Sequence, residues 1–331
     1  MKKQILFLLI LFTSANFCFA KSGENKFNIR YLFWDYNEKC HAVYDGNKRI
    51  AALPMLNDRK ILGIKLDKSN PDLILFAEKK ENTYSVNQID FMKNEKKVLF
   101  SFENEIYSFE GFTKTSFFWC DKCENNSEPH ILYEYNSTTK TIRRLFEAED
   151  ILYNNQAECY ERRFITNFLA DENKVFFFMD GGFVHDSGTF CVDLKTGESK
   201  RITDACRKIY DLNNYEVRSE YAVTDGKNIK LCIFSAMDDD LIIKNINTLK
   251  EVQCRFKKRH EGQAGSIVLL SDDYILVPFA TKPFTDSINN GLFGSVWTVC
   301  FTVFDLSKNK SVYEGFETRT NKLHLLDAIL L

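Results

Sequence analysis

Residues Lys174–Thr203 read KVFFFMDGGFVHDSGTFCVDLKTGESKRIT, and this stretch decides the fold. Val175–Met179 is a short apolar run, followed by a Gly-rich polar gap. Thr189–Asp193 alternates apolar and polar residues, and Leu194–Glu198 turns the chain into Ser199–Thr203. Asp193 can hydrogen-bond backbone two residues on, and Gly197 can take a left-handed conformation, so this is turn chemistry between two strands. Three consecutive strands result.

The unit recurs. An Asx residue closes an alternating strand and precedes a basic turn at Asp45, Asp90, Asn136, Asp193, Asn247 and Asp305, with spacings of 45 to 58 residues. Upstream of these hairpins lie further apolar strands at Leu73–Ala77, Ser116–Trp119, Val175–Met179, Ile229–Ser235 and Tyr274–Phe279. A still earlier strand stands at Ile61–Leu66, Phe164–Leu169, Glu220–Val223 and Ser266–Leu270. Four strands per unit at a period in this range is the pattern of a propeller blade. The first unit shows only Phe27–Trp34, His41–Tyr44 and Ile50–Leu53. The apolar tail Leu323–Leu331 can supply its fourth strand and leave no exposed edge.

The chain thus resembles the β-propeller repeat proteins in a generic way, without a WD dipeptide or a diglycine kelch signature. The expected fold is all-β, a propeller of about six four-stranded blades. Tandem β-sandwiches are the alternative, because strand spacing alone would look similar. No Gly/Ser-rich linker interrupts residues 21–331, so one propeller-like domain is expected there.

The chain has 331 residues, with 30 Phe and 14 Tyr that favour strands. Its formal net charge of −2 gives no footprint for nucleic acid or an anionic membrane. Residues 1–20, MKKQILFLLILFTSANFCFA, read as a signal peptide: Lys2 and Lys3, an apolar core at Ile5–Phe12, and small residues at Cys18 and Ala20 for cleavage after Ala20. A lipid anchor at Cys18 is less favoured, because Phe17 occupies a position that normally takes a small residue. No later stretch has the length of a membrane span. The expectation is an exported protein, periplasmic, extracellular or at the cell surface.

Ten cysteines, nine without Cys18, fit a disulfide-permitting compartment with at least one thiol left over. Cys120 and Cys123 in WCDKC suit a loop-tightening disulfide, with free thiols or half of a metal or redox site as alternatives. The following ENNSEP forms no helix that would lower a thiol pKa. Cys159 and Cys206 sit in successive long connectors and can bridge them. Cys191, Cys232 and Cys300 lie inside apolar strands.

Antiparallel blades place the short turns on one face and the long segments on the other. Those segments are Cys120–Pro129, Glu147–Glu161, Asp180–Gly188, Asp204–Glu216, Lys257–Gly265 and Thr281–Val296. Long loops on a rigid scaffold are where binding residues concentrate. Phe284, Asp286, Asn289, Asn290 and Phe293 mix aromatics with adaptable amides, and His185 and Asp186 sit in the 180–188 loop. His185–Thr189 contains DSGT, but an aspartic-protease site needs a second copy and none occurs. Asp238–Asp240 lacks the spacing of a calcium loop, and no metal or cofactor is expected. The leading reading is a non-catalytic binding or scaffold protein for a protein, peptide or glycan. The alternative is an exported hydrolase or lyase with acids such as Asp150, His185, Asp186, Asp204, Asp211 and Asp286 over the central funnel.

Overall fold

The structure is a computed structural model that describes residues 27–56, 59–122, 129–148, 152–154, 159–161, 164–180, 188–203, 218–235, 240–248, 250–254, 262–263, 266–283, 297–319 and 322–331. Blade 1 contains β1 (Ile29–Asp35), β2 (Cys40–Asp45) and β3 (Lys48–Leu53). Blade 2 contains β4 (Lys60–Leu66), β5 (Leu73–Lys80), β6 (Thr83–Asp90) and β7 (Glu95–Glu103). Blade 3 contains β8 (Ser108–Phe112), β9 (Ser116–Lys122), β10 (Pro129–Asn136) and β11 (Thr141–Glu147). A two-stranded hairpin follows, β12 (Leu152–Asn154) with β13 (Cys159–Glu161). Blade 4 contains β14 (Phe164–Ala170), β15 (Lys174–Asp180), β16 (Gly188–Asp193) and β17 (Ser199–Arg201). Blade 5 contains β18 (Arg218–Thr224), β19 (Ile229–Ser235), β20 (Asp240–Asn245) and β21 (Glu251–Cys254). In blade 6, β22 (Gly262–Gln263) and β23 (Val268–Leu269) share the inner position, ahead of β24 (Tyr274–Pro283), β25 (Trp297–Asp305) and β26 (Lys310–Arg319).

The last strand, β27 (Leu323–Leu330), pairs antiparallel with β1 and fills the inner position of blade 1. The ring is therefore closed by the two ends of the described chain. Leu331 N donates to Asn28 O at 2.8 Å beside this seam. Each inner strand touches the next, from β27 through β4, β8, β14, β18 and β23 back to β27.

Packing separates a ring from two stacked layers. Most of the buried apolar residues among those described fall into six clusters, and each fills the wedge between two successive blades. The alternation within single strands explains how. In β15, Val175 and Phe177 pack toward blade 3, while Phe176 packs toward blade 5. In β9, Phe117 and Trp119 face blade 2, and Phe118 and Cys120 face blade 4. A strand buried on both faces reads as an unbroken apolar run, which is what VFFFM and SFFWC are. A six-bladed β-propeller results, and the tandem-sandwich alternative is set aside.

The Asx turns form as their chemistry requires. Asp90 Oδ1 accepts from Met92 N and Lys93 N, Asn136 Oδ1 from Thr138 N and Thr139 N, and Asp193 Oδ1 from Lys195 N and Thr196 N, all at 2.9–3.1 Å. Gly197 takes φ +75°. The fifth mark is corrected. Asn245, not Asn247, ends β20, pairs with Lys230, and accepts from Asn247 N and Thr248 N at 2.9 and 3.0 Å. Among the described residues no helix is long and apolar enough to cross a membrane.

Candidate functional site

Antiparallel order puts two kinds of connection on each face. The turns from first to second strand and from third to fourth strand share one face, the turn face. The links from second to third strand, and from blade to blade, share the other, the loop face. The strand ends that flank 123–128, 181–187 and 284–296, and those that flank 148–163, 202–217 and 255–261, all lie at the loop face. Phe284, Asp286, Asn289, Asn290, Phe293, His185 and Asp186 lie outside the described residues, and so do Asp150, Asp204, Asp211, Cys123 and Cys206. Cys159 is placed in β13, but its side chain is not among those described.

The turn face is held by ionic latches between blades. Arg30 of β1 grips Asp45 with Nε and Nη2 at 2.6 and 2.9 Å, and reaches Asp72 of blade 2 with Nη1 at 2.6 Å. Such a two-pronged guanidinium–carboxylate contact fixes orientation as well as charge. Lys230 of blade 5 reaches Asp272 of blade 6 through a single ion pair at 2.9 Å. Nearer the axis, Lys68 Nζ donates to Asp327 Oδ1 and Ala328 O of β27 at 2.6 and 2.7 Å, and Asp327 Oδ2 accepts from Leu66 N. Lys114 of blade 3 pairs with Asp67 at 2.8 Å, and Glu172 of blade 4 accepts from Lys114 N and Thr115 Oγ1. Charges here are spent on one another.

The same face is also spanned across its centre. Gly226, in the first turn of blade 5, lies so close to Lys68 of blade 2 that a Cβ built on it would sit 2.7 Å from the Lys68 Cβ. Blades 2 and 5 are diametrically opposed in a six-membered ring. The contact therefore pinches the axial opening on the turn face.

Two ionisable side chains on inner strands stand apart from these latches. Lys65 of β4 donates from Nζ to Phe112 O at 2.7 Å and lies over the Phe112 ring. Burial draws its pKa down to about 8, against the pull of Asp327 and Glu172. Glu110 sits in a bulge of β8, where the pairing with β9 shifts between Phe109 and Gly111. Its Oε1 accepts from Ser108 Oγ at 2.8 Å and its carboxyl meets the Cys120 thiol. Burial pushes its pKa up to about 7, the range of a group that exchanges protons at neutral pH. Sequence reading missed Glu110 because β8 itself was not recognised. Its one signal was an acid inside the apolar segment SFEGF.

Cys120 is a buried free thiol on the face of blade 3 toward blade 4. Cys191 and Cys232 are also free, buried thiols, as their apolar strands imply, and Cys300 is half-buried in β25. Among the described residues no three His, Cys, Asp or Glu side chains are placed to hold a metal ion.

No protein-family model matches this chain, and no curated protein matches its sequence. Solved structures do. A chain of the nidogen/laminin complex superposes with TM-score 0.51 at 10% identity, over 91% of this chain and 98% of that one. TolB from Acinetobacter baumannii gives 0.49 at 14% identity, over 93% and 67% of the two chains. Oligogalacturonate lyase in complex with manganese gives 0.45 at 12% identity, over 85% and 70%. At such identities a likeness speaks to fold and not to chemistry, and the fold that this chain shares with the first of them is the β-propeller.

Proposed function

We propose that the chain is an exported, non-catalytic binding or scaffold protein that holds a protein, peptide or glycan on its loop face. The observation that carries this reading is the span from Lys68 to Gly226, which obstructs the turn face while the long connectors are anchored on the opposite side. The mechanism is complementarity of shape and hydrogen bonding on a rigid ring, with the 284–293 and 180–188 loops as the first contacts. Export rests on residues 1–20 and predicts that the secreted chain begins at Lys21. A Cys159–Cys206 bridge belongs to the same reading, as a brace for the loop face, whereas Cys120, a free thiol, forms none.

The test replaces residues 284–293 with a short Gly-Ser turn and screens both chains against immobilised peptide and saccharide libraries. Loss of binding by the shortened chain, with unchanged thermal unfolding, supports the loop face. Equal binding by both chains, or binding abolished only by turn-face substitutions, overturns it.

Glu110 gives a specific reason to keep a second reading, a hydrolase or lyase worked from the funnel. A carboxyl that is protonated near neutrality is suited to general acid catalysis. Under this reading Glu110→Gln abolishes turnover of a substrate found in the same libraries and leaves its binding intact. Binding without turnover in the unaltered chain removes it.

A further inference from the structure

The inner strand of blade 3 is short and interrupted. Its pairing with β9 runs Ser108↔Cys120, Phe109↔Trp119, Gly111↔Phe118 and Phe112↔Phe117, and Glu110 is the extra residue of the bulge. A bulge leaves its extra residue unpaired and disrupts the ladder around it. The turn-face half of β8 is locked by shape, because a Cβ on Gly111 would sit 2.7 Å from the Phe168 ring of β14. Phe109 keeps its ring 5.1 Å from that of Phe117 on the blade 2 side and can serve as a pivot.

The loop-face end of β8 is tied by a side chain. Glu110 Oε1 accepts from Ser108 Oγ at 2.8 Å, and the Glu110 carboxyl meets the Cys120 thiol. One carboxyl therefore holds both members of the outermost pair of this short ladder. The strand end that it holds runs into the 104–107 link at the loop face, where Tyr107 is exposed. The tie thus shapes the mouth of the funnel on that face.

Glu110 is half-buried on an inner strand, so its carboxyl lies between an apolar wedge and the axial channel. Among the described residues no cation pairs with it. From β9 it meets Cys120, whose thiol is pushed far up by burial, with Asp121 beyond. On β10, Glu134 is already engaged by Ser116 Oγ and Arg143 Nε. The β14 segment FITNFLA has no ionisable residue, and Lys65 of β4 is committed to Phe112 O. Nothing nearby compensates a bare carboxylate, so the ionised group gains most by turning to the channel.

The sign follows from burial, which raises the Glu110 pKa from 4.5 to about 7. Within that window the closed form keeps a proton that a hydrated Glu110 gives up. Each rise in pH there favours opening, and above it both forms are ionised and the effect levels off.

We infer that Glu110 is a pH-sensitive clasp: with its proton it holds the loop-face end of β8 on β9, and without it the carboxylate turns to the channel and the strand end loosens about Phe109. The clasp is independent of which ligand the loop face takes.

Hydrogen exchange of the full mature chain from pH 5 to 8, corrected for the intrinsic rate, tests this. Protection over Ser108–Phe112 should fall by about tenfold or more from pH 5 to 7 and level off by pH 8. The β19 strand of blade 5 should not share the fall. Glu110→Gln should flatten the profile, with thermal unfolding checking that the variant folds. In the unaltered chain at pH 7, an uncharged disulfide reagent should label Cys120 about tenfold faster or more than Cys232, which is equally buried. An equal fall in β19, or equal labelling of the two thiols, marks opening of the whole ring and overturns the clasp. Protection of β8 that does not change with pH overturns it, and so does the same fall in the Gln variant.

Discussion

Lys68 and Gly226 meet across the centre of the ring, although they lie in blades 2 and 5 and far apart in sequence. Gly226 takes φ +92°, where side chains other than glycine are strained, and its missing Cβ leaves room for the lysine stem. Gly197 has φ +75° with nothing within 4 Å of the same position. Gly197→Ala should therefore cost only the conformational penalty, about 1 kcal/mol. Gly226→Ala adds overpacking against Lys68 and should cost roughly 2–4 kcal/mol. Urea unfolding of both variants checks this, and because Lys68→Gly also removes the Asp327 latch, the double variant with Gly226→Ala should lose less than the sum of the two single losses.

Closure of the ring concentrates on Asp327. Its two oxygens serve Leu66 N, Lys68 Nζ and its own neighbour Ala328 N, and the residue is 8% exposed. Asp327→Ala leaves a largely buried lysine without its carboxylate and a backbone N–H without an acceptor. The expected loss is about 3 kcal/mol or more. Asp327→Asn keeps an acceptor for Leu66 and should cost less. Chemical denaturation orders the two, and equal losses would show that the charge is the whole effect.

The fold was legible where both faces of a strand are buried and where an Asx residue ends it. VFFFM, SFFWC and the Leu323–Leu331 tail announce themselves because most of their apolar side chains fill a wedge. The inner strand β8 did not, because it is short, bulged, and carries Glu110 and Gly111 in place of an alternating pattern. The NINT segment offers two similar residues two apart, and only the pairing of Asn245 with Lys230 tells them apart. The site was less legible still. The bulge in β8 brings Glu110 onto Cys120, and no local pattern encodes a contact between residue 110 and residue 120. The loop residues chosen for their composition lie outside the described residues.

Two buried groups should leave opposing marks on the pH dependence of stability. Glu110 has its pKa raised to about 7, so between its ordinary value of 4.5 and about 7 the native state holds a proton that the unfolded state has released. Stability falls as pH rises through that window. His41 has its pKa lowered from 6.5 to about 4, so in that interval the unfolded state binds the extra proton, and stability rises with pH. Each effect amounts to about 1–3 kcal/mol once solvent screening is allowed for. They nearly cancel in the unaltered chain. Glu110→Gln should uncover the rise between pH 4 and 6.5, and His41→Phe the fall between 4.5 and 7. Thermal midpoints across pH 4–8 read both, and parallel profiles for the two variants would refute the assignment.

The corrected repeat mark makes a sharper test of register than any change in the core. Asn245 Oδ1 satisfies two backbone N–H groups at the turn between β20 and β21, whereas Asn247 contributes a backbone N–H and an exposed side chain. Asn245→Ala should lose about 1 kcal/mol, the worth of a turn-capping side chain. Asn247→Ala should stay within about 0.5 kcal/mol of the unaltered chain, as exposed substitutions do. If the repeat were marked at Asn247, the pairing of β20 with β19 would slip by two residues and the losses would exchange places. Urea midpoints of the two single variants decide between these registers, because both changes remove the same amide and differ only in which turn N–H groups are left without an acceptor.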